Sequence, residues 1–317
     1  MNSTGYSPAK KSKSAFVFLS AGIYCSIRLR ESKEYWNERN DMEALKRYLR
    51  PWLPPRLLEL CRRRGGRVVF TGNFPDWQAA AAAASGYDDA SILERVAAAT
   101  REVVAGRAVF ERDSRLFLEP EPNYPLIAAL ALAADGDGLR VLDFGGALGS
   151  VYFQNRSWLR ELGALEWTVV EQPHFVACGQ REFTTGELRF AFSIGEALAA
   201  GRPDAVLLSS VLQYLPEPWA VLEELAASGC RYLVLDRTPL RLGETGDRIA
   251  VQRTPAALYG GSYPVRFPGE AHLHDALAEK FRLVDGFDSY DMELKLPGET
   301  ASIRYRGEVW RRRDADL

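Results

Sequence analysis

Val141-Leu142-Asp143 is followed by Phe144 and by glycines at 145, 146 and 149, with a helical pattern starting after the last of them. An acid at the end of an apolar run, then glycines, sets up chemistry by the main chain: the backbone can close on a small ligand that side chains would keep away. The spacing narrows the ligand. The dinucleotide fingerprint G-x-G-x-x-G is not met from Gly145 or Gly146, and no Gly-Lys-Ser/Thr follows to make a phosphate-binding loop. Glu171 closes the next apolar run, 22 residues after Gly149, where such folds place an acid that accepts hydrogen bonds from ribose hydroxyls. These residues read as a loop for a small cofactor.

The elements that must position this loop follow from patterning. From Leu139 onward, the apolar runs LRVLDFG, EWTVVEQ, LRFAFS, DAVLLSS and CRYLVLD alternate with amphipathic or alanine-rich segments. Apolar strands alternating with helices imply βαβ units and a doubly wound parallel sheet covered on both faces. FRLVDGFDSYD (281–291) and ASIRYRGEVWRR (301–312) have only a short loop between them. Without a crossover helix this pair must be antiparallel. Upstream, Asp76 is a candidate N-cap for an alanine-rich helix ended by Gly86, Ser91 to Glu94 forms a capping box, and 41–63 reads as helical turns broken by prolines. The expected organisation is a mostly helical arm and cap over 1–137 and an α/β domain over 138–317.

Composition is that of a folded globular chain: of 317 residues, 47% are hydrophobic and 26% charged, which excludes collagen-like, disulfide-scaffold and wholly disordered classes. The net charge of −2 hides a division, because residues 1–70 hold 15 Lys/Arg against 6 Asp/Glu and leave −11 for the remainder. No aromatic-interleaved basic motif accompanies the excess, so a solvated basic arm is favoured over a nucleic-acid surface. Cys25, Cys61, Cys178 and Cys230 are far apart and form no C-x-x-C pair, which argues against zinc or a disulfide framework and for reduced thiols in the cytoplasm. Ala15 to Cys25 imitates a secretory leader after Lys10, Lys11 and Lys13, but it runs into charged sequence without a small-residue cleavage pattern and reads as a core strand or short helix. No apolar run reaches membrane-spanning length. The expected partner is a small-molecule substrate, with neither nucleic acid nor membrane, and a homodimer is compatible.

DFGGALGS, VVEQP, SSVLQYLP and VLDRTPL, with GYDDASIL and FERDS upstream, resemble a family of class I S-adenosylmethionine (SAM) methyltransferases from bacterial polysaccharide and natural-product gene clusters. The resemblance covers about residues 70–312 and includes enzymes that cyclise SAM to azetidine-2-carboxylate. Its loop pattern D-x-G-x-G-x-G is met with one departure, Ala147 at the middle glycine. The fold it implies is a Rossmann-like seven-stranded sheet ending in an antiparallel hairpin. It implies SAM as cofactor, with Asp143, Gly145, Gly146 and Gly149 holding the amino-acid portion, Glu171 the ribose, Gln172 and Ser193 near the adenine, and Ser209, Ser210 and Gln213 bordering the sulfonium.

A sulfonium activates its own neighbouring carbons, so alignment does most of the work and a dedicated base is optional. Tyr152, in the first turn after the glycines, Tyr214 after the fourth strand, and Tyr259 and Tyr263 between the fifth and sixth are the candidate aromatic wall, since an aromatic beside a sulfonium adds cation–π attraction. With Ser210 and Gln213, the residues Tyr152, Tyr214 and Tyr263 make the candidate catalytic set. His174, His272 and His274 are weaker candidates for a base. The Glu111–Ser114 cluster reads equally as an ion-pair network or as ligand contacts. Methyl transfer to a small acceptor in secondary metabolism or surface-glycan biosynthesis leads. Intramolecular cyclisation with release of methylthioadenosine is the alternative, and a non-catalytic scaffold, supported by Ala147 and the basic arm, is a third reading.

Overall fold

The computed structural model describes residues 68–86, 89–134, 136, 138–255 and 260–313. The turns expected over 41–63, the 15–25 run, the basic arm and Tyr259 lie outside the described residues. The chain after Leu139 follows the expected pattern. Strands β4 (Gly138–Phe144), β5 (Ala164–Val170), β6 (Leu188–Ala191), β7 (Ala205–Ser209) and β8 (Tyr232–Arg241) carry the five apolar runs. They alternate with helices α4 (Ser150–Leu159), α5 (Pro173–Glu182), α6 (Ile194–Ala199) and α7 (Pro218–Ala227), and α8 (Glu270–Ala278) follows later. β11 (Phe281–Leu294) and β12 (Ile303–Arg312) form the terminal antiparallel pair.

The seven strands lie in the order β11-β12-β8-β7-β4-β5-β6. All neighbours from β8 to β6 are parallel, and β12 enters antiparallel to β8. Side chains alternate between two cores. Val141 and Leu207 face α4, α5 and the helices ahead of β4 in one, and Leu142, Val206 and Leu208 face α6 to α8 in the other. Strands buried on both faces need apolar residues at nearly every position, which is why β7 is buried along its whole length. β4 and β7, neighbours in the sheet but not in the chain, flank a reversal of chain order, the point at which doubly wound sheets open a crevice at their carboxyl ends.

Ahead of β4, α1 (Trp77–Ala83) is capped as expected by Asp76, whose carboxylate accepts from the Ala79 amide at 2.7 Å. α2 (Asp89–Val104) starts two residues before Ser91, so the capping box is not its first turn. α3 (Tyr124–Ala133) is capped by Asn123, which accepts from the Leu126 amide. This stretch also holds strands. β1 (Val69–Phe74) pairs with β9 (Arg248–Arg253), and β9 with β10 (Ser262–Phe267), in a small antiparallel sheet. The pairing links residues on both sides of the boundary expected at 137/138. β2 (Phe110–Arg112) and β3 (Arg115–Phe117) form a hairpin through Asp113 and Ser114, at φ 52° and 61°, the left-handed pair that a two-residue hairpin turn requires.

β8 outruns its parallel neighbour: its pairing with β7 stops at Asp236, while its pairing with β12 continues to Arg241. Asp236 and Arg237 together face Gly307, a β-bulge that bends the strand and re-aims both side chains. Glu299, between β11 and β12, ties this extension to β9 by ion pairs to Arg241 at 3.0 Å and Arg248 at 3.3 Å. Among the described residues no helix is long and apolar enough to cross a membrane.

Candidate active site

β4 delivers Asp143 to the bottom of the crevice, fully buried. Its Oδ2 accepts from the Trp167 indole at 3.0 Å, and its Oδ1 has no partner. Burial raises its pKa to about 7, against the opposing pull of the Trp167 hydrogen bond and the Arg237 charge. The main chain then folds over the carboxylate. A Cβ at Gly146 would stand 2.4 Å from Asp143 Oδ2, so only glycine fits. Gly145, Ala147 and Gly149 have φ of 74°, 51° and 90°. Gly149 is the N-cap of α4 and offers no side chain there. Ala147 holds the left-handed conformation that the missing glycine would adopt, at a cost of roughly 1–2 kcal/mol for an L-residue. The departure from the pattern strains the loop and keeps its backbone shape.

Glu171 directly follows β5, beside this loop. Its carboxylate accepts from the Gln172 amide at 2.5 Å. Burial pushes its pKa up, opposed by the Gln172 and Ala147 amides. Gln172 is exposed at the start of α5. Ser193 is engaged otherwise than expected, because its hydroxyl oxygen caps α6 by accepting from the Glu196 amide at 3.1 Å. One residue that sequence reasoning missed is its neighbour Phe192, a 48% exposed ring just past the carboxyl end of β6. An aromatic just past an apolar run was the available signal. Glycine backbone over a buried acid, with a second acid and an exposed ring on successive strand ends, fits the amino-acid, ribose and base portions of SAM.

On the other side of β4, Ser209 donates to Asp236 Oδ2 at 2.7 Å and accepts from Arg237 Nη2 at 2.8 Å. Asn123 Nδ2 and Ser289 Oγ also donate to Asp236, at 3.4 and 3.0 Å. Ser210 has φ 61° and accepts from Gln213 Nε2 at 3.1 Å. Gln213 Oε1 is buried without a partner. Tyr214 follows, its hydroxyl donating to Gln252 Oε1 at 3.3 Å, while Gln252 Nε2 donates to the Tyr263 hydroxyl at 2.6 Å. The two tyrosine rings meet edge to face at 5.5 Å. Thus Ser210, Gln213, Tyr214 and Tyr263 come together, with Tyr263 on β10 rather than in a loop. Burial, then Tyr263, Tyr305 and Asp113, push the Tyr214 pKa well above the phenol range, so it stays protonated. Gln252, Asp236 and Arg237 were missed. Asp236, the third acid to follow an apolar run, was the one with a sequence signal.

Tyr152 does not belong to this set. With Gly149 as cap, α4 starts at Ser150 and packs Val151, Tyr152, Asn155 and Leu159 inward. The Tyr152 ring is fully buried and its hydroxyl donates to Glu187 Oε2 at 2.7 Å, just ahead of β6 and at the end of the strand opposite the crevice. His272 is held by Asp247 at 3.0 Å against the Trp219 ring, and His274 by Glu308 at 3.0 Å, the contact that raises its pKa. Glu270, His274 and Glu308 have ligand atoms within 4.8 Å of one another. Both Glu308 oxygens there are already hydrogen-bonded, to His274 and to the Trp310 indole. His174 Nε2 is buried without a partner.

No family model and no curated protein sequence matches the chain. Among solved structures, it is similar to magnesium protoporphyrin IX methyltransferase (ChlM) from Synechocystis PCC 6803 with bound SAM, at 19% identity and TM-score 0.37, covering 60% of this chain and 77% of that one. The CcbJ methyltransferase from Streptomyces caelestis matches at 17% identity and TM-score 0.39, over 64% of this chain and 93% of that one. The [4+2]-cyclase SpnF matches at 16% identity and TM-score 0.38, over 70% and 78%.

Proposed function

We propose that the chain is a SAM-dependent methyltransferase acting on a small polar acceptor of secondary metabolism or surface-glycan biosynthesis. The observation that carries this is the Gly146 backbone closed over buried Asp143, with Glu171 set against the same loop. When bound, SAM supplies a methyl carbon already activated by its sulfonium. The chain's own residues have to bind, align and exclude water, and alignment alone is worth roughly 7–11 kcal/mol of barrier. Ser209, locked by Asp236 and Arg237, and Ser210, held left-handed, fix the edge of the crevice beside β4. Tyr214, kept protonated by burial and held through Gln252 to Tyr263, presents an oriented ring and phenol oxygen to the acceptor and does not serve as a base at neutral pH. Acceptor choice falls to residues upstream of 138 and to the β9–β10 insertion, leaving 138–317 as the catalytic domain.

The test is incubation of pure protein with SAM, alone and with a panel of sugar and amino-acid-derived acceptors, read by mass spectrometry. S-adenosylhomocysteine formed only with an acceptor supports methyl transfer. Methylthioadenosine and azetidine-2-carboxylate from SAM alone would replace it with cyclisation, and a folded protein that does not bind SAM would leave a scaffold. Asp143→Ala and Glu171→Ala should each weaken SAM binding at least tenfold by calorimetry; unchanged affinity in both removes the site assignment.

A further inference from the structure

The β2–β3 hairpin brings a carboxylate to the cofactor loop from outside the glycine run. Glu111 is 1% exposed, and its oxygens accept from the Ser150 hydroxyl and from the Ser114 amide, the latter at 3.1 Å. Ser150 opens α4 and follows Gly149 directly. Both donors are neutral. Arg112, the adjacent cation, lies over the Phe110 and Phe117 rings at 5.3 and 5.1 Å and reaches Glu121 at 3.8 Å. Asp113 adds a second negative charge nearby, and burial, the largest influence, pushes the Glu111 pKa up against its hydrogen bonds. The Arg112 charge also acts on Glu111, as the weakest of these influences, and forms its own ion pair with Glu121.

A buried carboxylate whose donors are neutral, and whose adjacent cation is turned to another acid, is short of a counter-charge, and burying it this way is costly unless a further cation arrives. SAM and S-adenosylhomocysteine both carry one, the α-ammonium of their amino-acid end, and the glycines next to Ser150 are where that end rests in the function proposed above. On that reading, the geometry points to Glu111 as a positioning residue for the amino-acid end of the cofactor, acting through Ser150 and through the charge it presents to the α-ammonium. This absorbs the Glu111–Ser114 cluster as a ligand-directed feature: the hairpin closes the cofactor loop from the upstream side.

Two probes isolate the effect. S-adenosylhomocysteine has the amino-acid end, and methylthioadenosine keeps the adenosine and thioether without it. By calorimetry, Glu111→Gln should lose about tenfold affinity for S-adenosylhomocysteine, the size of one charge-assisted contact, and less than about twofold for methylthioadenosine. Ser150→Ala should move the same ratio in the same direction by a smaller factor, and carries the comparison if Glu111→Gln does not fold. Equal losses for both probes, or none, overturn the assignment and leave Glu111 a packing residue. A wild-type protein that binds neither probe overturns the cofactor reading beneath it.

Discussion

The two halves of the crevice are built on different plans. On the β5 side, the site is main chain: five residues from Gly145 to Gly149 fold over Asp143, and what matters is the space their missing side chains leave. On the β7–β8 side, the site is side chain: Ser209, Asp236, Asn123 and Ser289 converge from four distant segments, and Tyr214, Gln252 and Tyr263 from three. A backbone site tolerates almost no substitution and changes little with its ligand's decoration. A side-chain site can be rebuilt residue by residue, which suits the half that we propose meets the acceptor.

The sharpest way to break this contrast is Gly146→Val. The new Cβ meets the Asp143 carboxylate, so SAM binding should fall at least 100-fold by calorimetry; a smaller loss would show that the loop can relax. Next comes pH. Asp143 ionises near 7 when folded and near its ordinary 3.8 when unfolded, so between these values the unfolded chain gives up the proton first. Its contribution to stability is therefore full below about 3.8 and is lost as pH rises toward 7, on the order of a few kcal/mol. Melting temperature across that window should flatten in Asp143→Asn relative to wild type. Glu299 acts in a separate window with the opposite sign. Against the desolvation that raises it, its partners Arg241, the Ala301 amide and Arg248 hold it down to about 2, so its contribution is lost as pH falls from the ordinary 4.5 toward 2.

On the side-chain half, Tyr214→Phe should reduce turnover of the acceptor found by the screen about tenfold while leaving S-adenosylhomocysteine affinity within twofold. A loss in cofactor affinity instead would merge the two halves. The smallest effect is Ala147→Gly, which relieves a left-handed alanine: stability should change by no more than about 1 kcal/mol, because the strain removed is offset by a freer unfolded chain. A large shift in SAM affinity would mean that the Ala147 methyl itself touches the ligand.

The same contrast explains what could be read without a structure. Asp143, the glycines and Glu171 are local in sequence because a strand end and its turn are local, and the five apolar runs announced the sheet for the same reason. Tyr152 failed on an angular detail: its place in the first turn of α4 was readable, but the side of the helix that packs on the sheet was not. Ser193 stands just past β6, as its place in the sequence implies, but its hydroxyl caps a helix. Gln252 carried no signal, because RIAVQR and SYPVRF look like connecting chain until their pairing with each other and with β1 makes them a sheet.

That pairing also sets an order of events in synthesis. β1 leaves the ribosome early, yet Phe74 pairs with Ile249 and Phe70 with Gln252. Contacts of such sequence separation close slowly, and domains form from their N-terminal side as the chain emerges. The stretch that holds β1 therefore waits, unpaired and carrying the exposed Val68 and Val69, while β4 to β8 come out and associate. The half with the glycine loop can assemble first, and the small sheet that orients Gln252 and Tyr263 is completed only after residue 267 has been made. A chain truncated ahead of β10 should accordingly keep a nascent glycine loop and lack the wall that we propose faces the acceptor.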